Sequence, residues 1–159
     1  MITSLPSQRV ADAARTLGLE IEVREFPEGT RTAEDAAAAI GVDVGQIVKS
    51  LVFFVDDRPV LCLVSGLNRL HTQRLAVIAG ASKVRRARAD EVERVTGFAI
   101  GGVPPFGHTQ RLPVYCDRDL MIYDLVWAAA GTPRAVFAVE PQRLVQACRA
   151  TVADLKETR

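Results

Sequence analysis

Apolar and polar positions change period along the chain, and the changes mark out its elements. Between residues 7 and 17 the apolar Val10, Ala13, Ala14 and Leu17 fall on one stripe, which predicts an amphipathic helix ended by Gly18. Residues 20–26 alternate and predict a strand. Thr32-Ala33-Glu34-Asp35 then opens a second helix. Thr32 is placed to cap it, and the two acids suit the positive end of the helix dipole. Its alanine run, Ala36-Ala37-Ala38-Ala39, stops at Gly41. Residues 47–55 and 59–64 are apolar strands flanking Asp56-Asp57-Arg58, a hairpin signal. Residues 72–79 form a short helix stopped by Gly80, residues 83–86 a short strand, and residues 90–95 lie in another helix. After a loop from 97 to 107, strands are predicted at 114–116, 125–129 and 135–139. Glu140-Pro141 starts a last helix, with proline near its first position.

Hairpins occur beside strand–helix–strand units. The pattern therefore predicts an α+β (mixed α/β) fold, with a largely antiparallel central sheet and surrounding helices. At 159 residues the chain fits a single domain spanning 1–159 with a sizeable core. No strand leads into GxGxxG or a P-loop, so neither a dinucleotide-binding nor an NTPase reading has support. A net charge of +1 excludes a strongly basic nucleic-acid coat but allows a local patch. No apolar run approaches the ~20 residues of a membrane span, and residues 1–15 lack a secretory pattern. A cytoplasmic protein without membrane contact is expected. Cys62, Cys116 and Cys148 are scattered and have no histidine at zinc spacing, so reduced thiols and no metal or other cofactor are expected.

Lys49 is the most informative single residue. It interrupts Ile47-Val48-Lys49-Ser50-Leu51-Val52-Phe53-Phe54, on one strand face with Ile47, Leu51, Phe53 and Val55. An ammonium there needs partners or a cavity; alternatively, the face lies at a sheet edge and the lysine reaches water. Ser50 points the other way. No sequence pattern suggests a nucleophilic triad. The second feature is Gly97-Phe98-Ala99-Ile100-Gly101-Gly102-Val103-Pro104-Pro105-Phe106-Gly107-His108. Its glycines allow close backbone approach and its prolines stiffen the path, which suits a loop presenting backbone donors to a ligand. A tight connection between strands is the plainer alternative. His108 follows directly and is a secondary candidate; His71 carries less weight. Lys83, Arg85, Arg86 and Arg88 could contact phosphates, or form a solvated face balanced by Asp90, Glu91 and Glu93. Trp127 is expected in the core.

These segments resemble the YbaK/EbsC/ProX family, which is similar to the editing domain inserted in bacterial prolyl-tRNA synthetases. The resemblance rests on Thr32-Ala33-Glu34-Asp35-Ala36-Ala37, on residues 46–53 around Lys49, and on Gly101-Gly102-Val103-Pro104-Pro105-Phe106-Gly107. It extends over about residues 7–148. It implies a YbaK-like fold and hydrolysis, in trans, of the ester of mischarged tRNA, chiefly tRNA for proline, without metal or covalent enzyme nucleophile. It implies that Lys49 is the essential residue, holding the ester and the terminal adenosine, and that the 101–105 loop lines the aminoacyl pocket. Expected substrate contacts are Thr32, Ser50, Gly101, Gly102, Val103, Pro104, Pro105 and His108. Expected tRNA contacts are Lys83, Arg85, Arg86 and Arg88, and a synthetase is a conceivable partner. Ala129-Ala130-Gly131 and Val136 depart from the Ser-Gly-Gly-like stretch and the acid of some members. A more apolar wall follows, pointing to alanine or another small apolar residue instead of cysteine. A non-catalytic module binding an amino acid or aminoacyl-tRNA is the competing reading.

Overall fold

Short polar caps and left-handed stops delimit the helices. The structure is a computed structural model describing residues 4–27 and 32–158. Helix α1 (Leu5–Thr16) begins at Ser4, whose hydroxyl accepts the Ser7 N–H at 3.2 Å, and its buried stripe is Ser7, Val10, Ala11 and Ala14. Strand β1 (Arg24–Glu25) follows. It is much shorter than the alternation at 20–26 suggests. Leu19 and Val23 are buried there, yet only Arg24 and Glu25 find ladder partners, so the period of two reports burial without pairing. Helix α2 (Ala33–Ile40) is capped by Thr32, whose hydroxyl accepts the Asp35 N–H at 3.0 Å, and ends at Gly41 with φ of 89°.

After a 3-10 turn at Val44–Gln46 come β2 (Val48–Val55) and β3 (Arg58–Ser65). Asp56 and Asp57 join them with φ of 46° and 67°. Two left-handed residues match the twist of a tight hairpin, and the Asp56 carboxylate accepts the N–H groups of Ser82 and Lys83. Then follow α3 (Thr72–Ala79), β4 (Val84–Arg86), α4 (Ala89–Thr96), β5 (Val114–Asp117), a 3-10 turn at Arg118–Ile122, β6 (Val126–Ala129), β7 (Ala135–Val139), α5 (Pro141–Cys148) and β8 (Thr151–Ala153).

The α+β class holds, and antiparallel pairing dominates. The strands divide between two sheets: a five-stranded one in the order β4-β2-β3-β5-β8 and a three-stranded one in the order β1-β7-β6. In the larger sheet β4, β2 and β3 are antiparallel, while β5 and β8 add in parallel. One face of it packs Val52, Leu61 and Leu63 against Val10, Val126, Phe137 and Leu144. The opposite face packs Phe53, Val60 and Cys62 against Leu75 and Leu155. Burial on both faces explains why β3 is almost continuously apolar. Cys62 and Cys116 are buried and Cys148 is half-buried, all unpaired. Among the described residues no helix is long and apolar enough to cross a membrane.

Helix α4 is tied to β4 by charge. Arg85 donates from both terminal nitrogens to the Glu91 carboxylate at 2.8 Å each, and the Arg88 N–H donates to it at 2.9 Å. The Arg85 bridge, then the Arg88 N–H, hold the Glu91 carboxyl down at about 2 from an ordinary 4.5. A depressed acid stabilises the fold fully above its unfolded value, and that contribution is lost as pH falls through the folded value. Glu91→Gln is therefore expected to lower the melting temperature at neutral pH. The gap from the parent protein should close as pH falls from about 4.5 towards about 2. Thermal melts across that range check this.

Candidate functional site

Strand β4 covers only part of β2, and the site forms where it stops. Arg86, Arg85 and Val84 pair with Phe53, Phe54 and Val55, and the Ile47–Trp127 bridge lies past the other end, so among the described residues no strand pairs with the outer edge of β2 from Lys49 to Leu51. A cavity of about 310 Å³ opens beside this edge, between β2 and the smaller sheet. Its walls are Thr32, Ala33 and Ala36 of the α2 start, residues 47–51, Arg86, Ile100, Gly101 and Val103, residues 127–129, and Thr132, Pro133, Ala135 and Val136. Most of this lining is small or apolar, as the departures at Ala129 and Val136 suggest.

Polar groups enter at few points. The Lys49 side chain is half-buried, and its ammonium donates to the Asn68 carbonyl. Burial lowers its pKa below the usual lysine value, helped by the charges of Arg86 and Arg69 and opposed by Glu34 and Asp117. The sheet register adds a second feature. Val52 takes the Ala87 N–H on its carbonyl at 3.0 Å, so alternation turns the backbone N–H and C=O of Ser50 the same way, towards the open edge. The Ser50 hydroxyl is buried and has no hydrogen-bond partner among the described residues. Such orphaned groups are rare in folded proteins and call for an explanation.

The glycine–proline loop is held rigidly against this cavity. The Thr96 hydroxyl donates to the Val92 carbonyl at 2.7 Å, lies 3.1 Å from the Phe98 carbonyl and accepts the Phe98 N–H. The Gly102 N–H donates to Ala99 O, and the Gly131 N–H donates to Gly102 O, both at 3.0 Å. Gly101 has φ of 89°, which favours glycine. Gly102 has a different reason to lack a side chain: an added Cβ would lie 2.7 Å from the Thr132 Cα and 2.8 Å from the Gly131 oxygen. Phe106 packs on Phe137 with ring centres 5.7 Å apart, which fixes the far end of the loop.

Of the residues singled out from the sequence, the cavity brings together Thr32, Lys49, Ser50, Gly101, Val103 and Arg86. Gly102, Pro104 and Pro105 lie buried behind the wall. His108 is turned away from it. Its Nε2 lies 2.6 Å from the Pro104 carbonyl, its ring meets Phe98 edge-on, and burial lowers its pKa. The basic cluster also divides. Arg85 is committed to Glu91 and stacks over Phe54 at 4.3 Å, and Arg88 pairs with Asp90 at 3.2 Å. Arg86 and Lys83 have no ion pair among the described residues, and only Arg86 borders the cavity; Lys83 lines a separate, more open groove between α3 and β4. Trp127, expected in the core, is half-buried in the cavity wall, with Arg24 stacked 5.4 Å away and Ile47 bridged to its backbone. Asn68 and Asp117 also belong to the site's surroundings, and their local sequence says little of it. The one signal was an acid ending the apolar β5.

Comparison with known proteins places this site in a family. The sequence profile of the aminoacyl-tRNA editing domain matches residues 27–147. A solved structure of a candidate trans-editing enzyme for prolyl tRNA synthetase superposes with a TM-score of 0.94 at 49% identity, covering 99% of this chain and 100% of that one. A candidate Cys-tRNA(Pro)/Cys-tRNA(Cys) deacylase, EbsC of Enterococcus faecalis, is 26% identical over 82% of this chain and 80% of its own length. The proline–tRNA ligase of Streptococcus equi subsp. equi is 30% identical over 80% of this chain, which spans only 21% of that ligase.

Proposed function

Since this chain belongs to the aminoacyl-tRNA editing domain family, we propose that it is a cytoplasmic trans-editing deacylase. It hydrolyses the ester of mischarged tRNA, with tRNA(Pro) bearing alanine as the preferred substrate. Residues 1–159 act as one editing domain. The observation that carries the reading is the meeting of the Lys49 ammonium, the unpaired Ser50 edge and the Gly101 and Val103 wall on one small, largely apolar cavity.

An aminoacyl ester is already activated, so positioning and charge stabilisation suffice. Water attacks the ester carbonyl, the bond to the terminal ribose breaks, and the proton passes to the ribose oxygen. Lys49 holds the ester and the terminal adenosine and offsets the developing negative charge. The Ser50 N–H offers a fixed donor, and its hydroxyl gains a partner when substrate enters. Thr32, Gly101 and Val103 shape the aminoacyl end. Gly102, Pro104, Pro105 and His108 act one layer back, keeping the loop in place. The small apolar walls accept an alanyl side chain.

The tRNA backbone contact falls to Arg86. Among the described residues it has no ion pair, and it borders the cavity, whereas Arg85 and Arg88 already hold carboxylates. Arg86→Ala is expected to weaken tRNA binding and to flatten the plot of log affinity against log salt by about 0.7, one phosphate contact on a single strand. Arg85→Ala should instead lower the melting temperature and change the slope little. Filter binding at several salt concentrations, beside thermal melts, separates the two.

The proposal is tested by deacylation of a panel of charged tRNAs with purified protein. Hydrolysis of Ala-tRNA(Pro) and sparing of larger side chains is the expected result. Binding without hydrolysis of any member would favour a non-catalytic module.

A further inference from the structure

The Lys49 ammonium is held by a carbonyl, not by a carboxylate. Among the described residues Lys49 has no ion pair, and its hydrogen bond goes to the backbone oxygen of Asn68. Asn68 lies in the connection between β3 and α3, where a carbonyl would ordinarily be free to shift. Its side chain prevents that. The Asn68 amide donates to Asp117 Oδ2 at 2.8 Å and to Asp119 Oδ2 at 2.9 Å. Asp119 is in turn held by the Lys156 ammonium at 2.9 Å.

Asp117 is the unusual member. It is fully buried at the end of β5 and pairs with no cation within 4 Å among the described residues. Its oxygens accept the Ser65 N–H at 3.1 Å, the Asn68 amide and the Asp119 N–H at 3.0 Å. With no cation against it, this buried carboxylate is held by hydrogen bonds alone, and those bonds tie it to the neighbouring segments. It fixes both ends of the segment Ser65-Gly66-Leu67-Asn68, and its negative charge favours the charged form of Lys49.

We propose that Asn68 is a positioning residue for Lys49: Asp117 and Asp119 clamp its side chain, and its carbonyl thereby holds the Lys49 ammonium against the cavity. The inference rests on Lys49 being the acting cation of the deacylase. Displacing a catalytic group by an ångström can cost about 100-fold in rate. Asn68→Ala is thus expected to lower single-turnover deacylation about 10- to 100-fold, with affinity for tRNA little changed.

A double-mutant cycle gives the decisive readout. In a Lys49→Ala background, Asn68→Ala should cost nothing further, because there is no ammonium left to place. The NMR order parameter of the Lys49 ε-methylene, measured without tRNA, should fall in Asn68→Ala. Equal losses in both backgrounds, or an unchanged order parameter, would overturn the proposal. Should Asn68→Ala fail to fold, Asp119→Ala removes one of the two anchors from a partly exposed position, and the same two readouts should move less far in the same direction. Absence of turnover by the unaltered protein would refute the deacylase reading; the order parameter would still decide the positioning role.

Discussion

Replacing Lys49 by alanine should leave a folded protein whose deacylation is about 30- to 1,000-fold slower. Losing one charge-assisted contact to a transition state in a partly dry site costs about 2–4 kcal/mol, which converts to that range of rates. Stability should move the other way. Burial lowers the pKa of Lys49 in the fold, so at neutral pH its charge opposes folding. The sign follows from linkage. A lysine with a depressed folded pKa weighs against the native state below that pKa, and the native state recovers stability as pH rises through it towards 10.5. Lys49→Ala should melt at or above the parent temperature at pH 7, with the difference shrinking near pH 10. Asn68 is half-buried, so water can reach its carbonyl in place of the ammonium. Arginine should rescue only partly, since its planar fork cannot take the place of a compact ammonium over one carbonyl. An unfolded Lys49→Ala protein would assign the lysine to structure, and near-normal turnover would remove it from the chemistry.

Gly102→Ala is expected to have the other large effect, on stability and activity together. The new Cβ would meet three backbone atoms of Gly131 and Thr132 between 2.7 and 2.9 Å, and none can rotate away. The loop and the 131–132 turn must separate. That would break the Gly131 N–H to Gly102 O bond and shift Gly101 and Val103 in the cavity wall. Overpacking of this kind costs about 1–3 kcal/mol, and loss of the loop's position should lower turnover at least tenfold. Gly101→Ala is a useful contrast. Its Cβ would meet only the Pro133 ring, at 3.5 Å, so the cost is mainly left-handed backbone strain of about 1–2 kcal/mol. Melting temperatures and single-turnover rates of the two variants should rank Gly102→Ala as the more damaging. Equal or reversed ranking would mean that the close approach at Gly102 does not hold the loop.

Local signals account for what the sequence could reveal. The Thr32 cap, the Gly41 and Gly80 stops and the Asp56-Asp57 hairpin depend on residues a few positions apart, and each forms as expected. Lys49 and the Gly101 loop were legible for a different reason: a cation in an apolar strand and dense Gly/Pro both break the local pattern. What stayed hidden depends on long-range register. Arg85 and Arg86 look alike in sequence, yet opposite Phe54 one reaches Glu91, while opposite Phe53 the other borders the cavity. Asn68 and Asp117 lie 49 positions apart and meet only because β5 aligns in parallel with β3. The division into two sheets was equally invisible, since alternation marks a buried face without naming the partner strand. His108 follows the loop in sequence, but the chain turns it back onto the Pro104 carbonyl.

Cleavage of the ester of a small, wrongly attached amino acid is the activity proposed for this cavity. Its most direct test is the rate at which purified protein releases alanine from Ala-tRNA(Pro), measured beside proline release from Pro-tRNA(Pro). Rapid loss of alanine with proline retained, and collapse of that rate in Lys49→Ala, is the predicted result. Failure to release alanine above the uncatalysed rate, with the tRNA nonetheless bound, would contradict it.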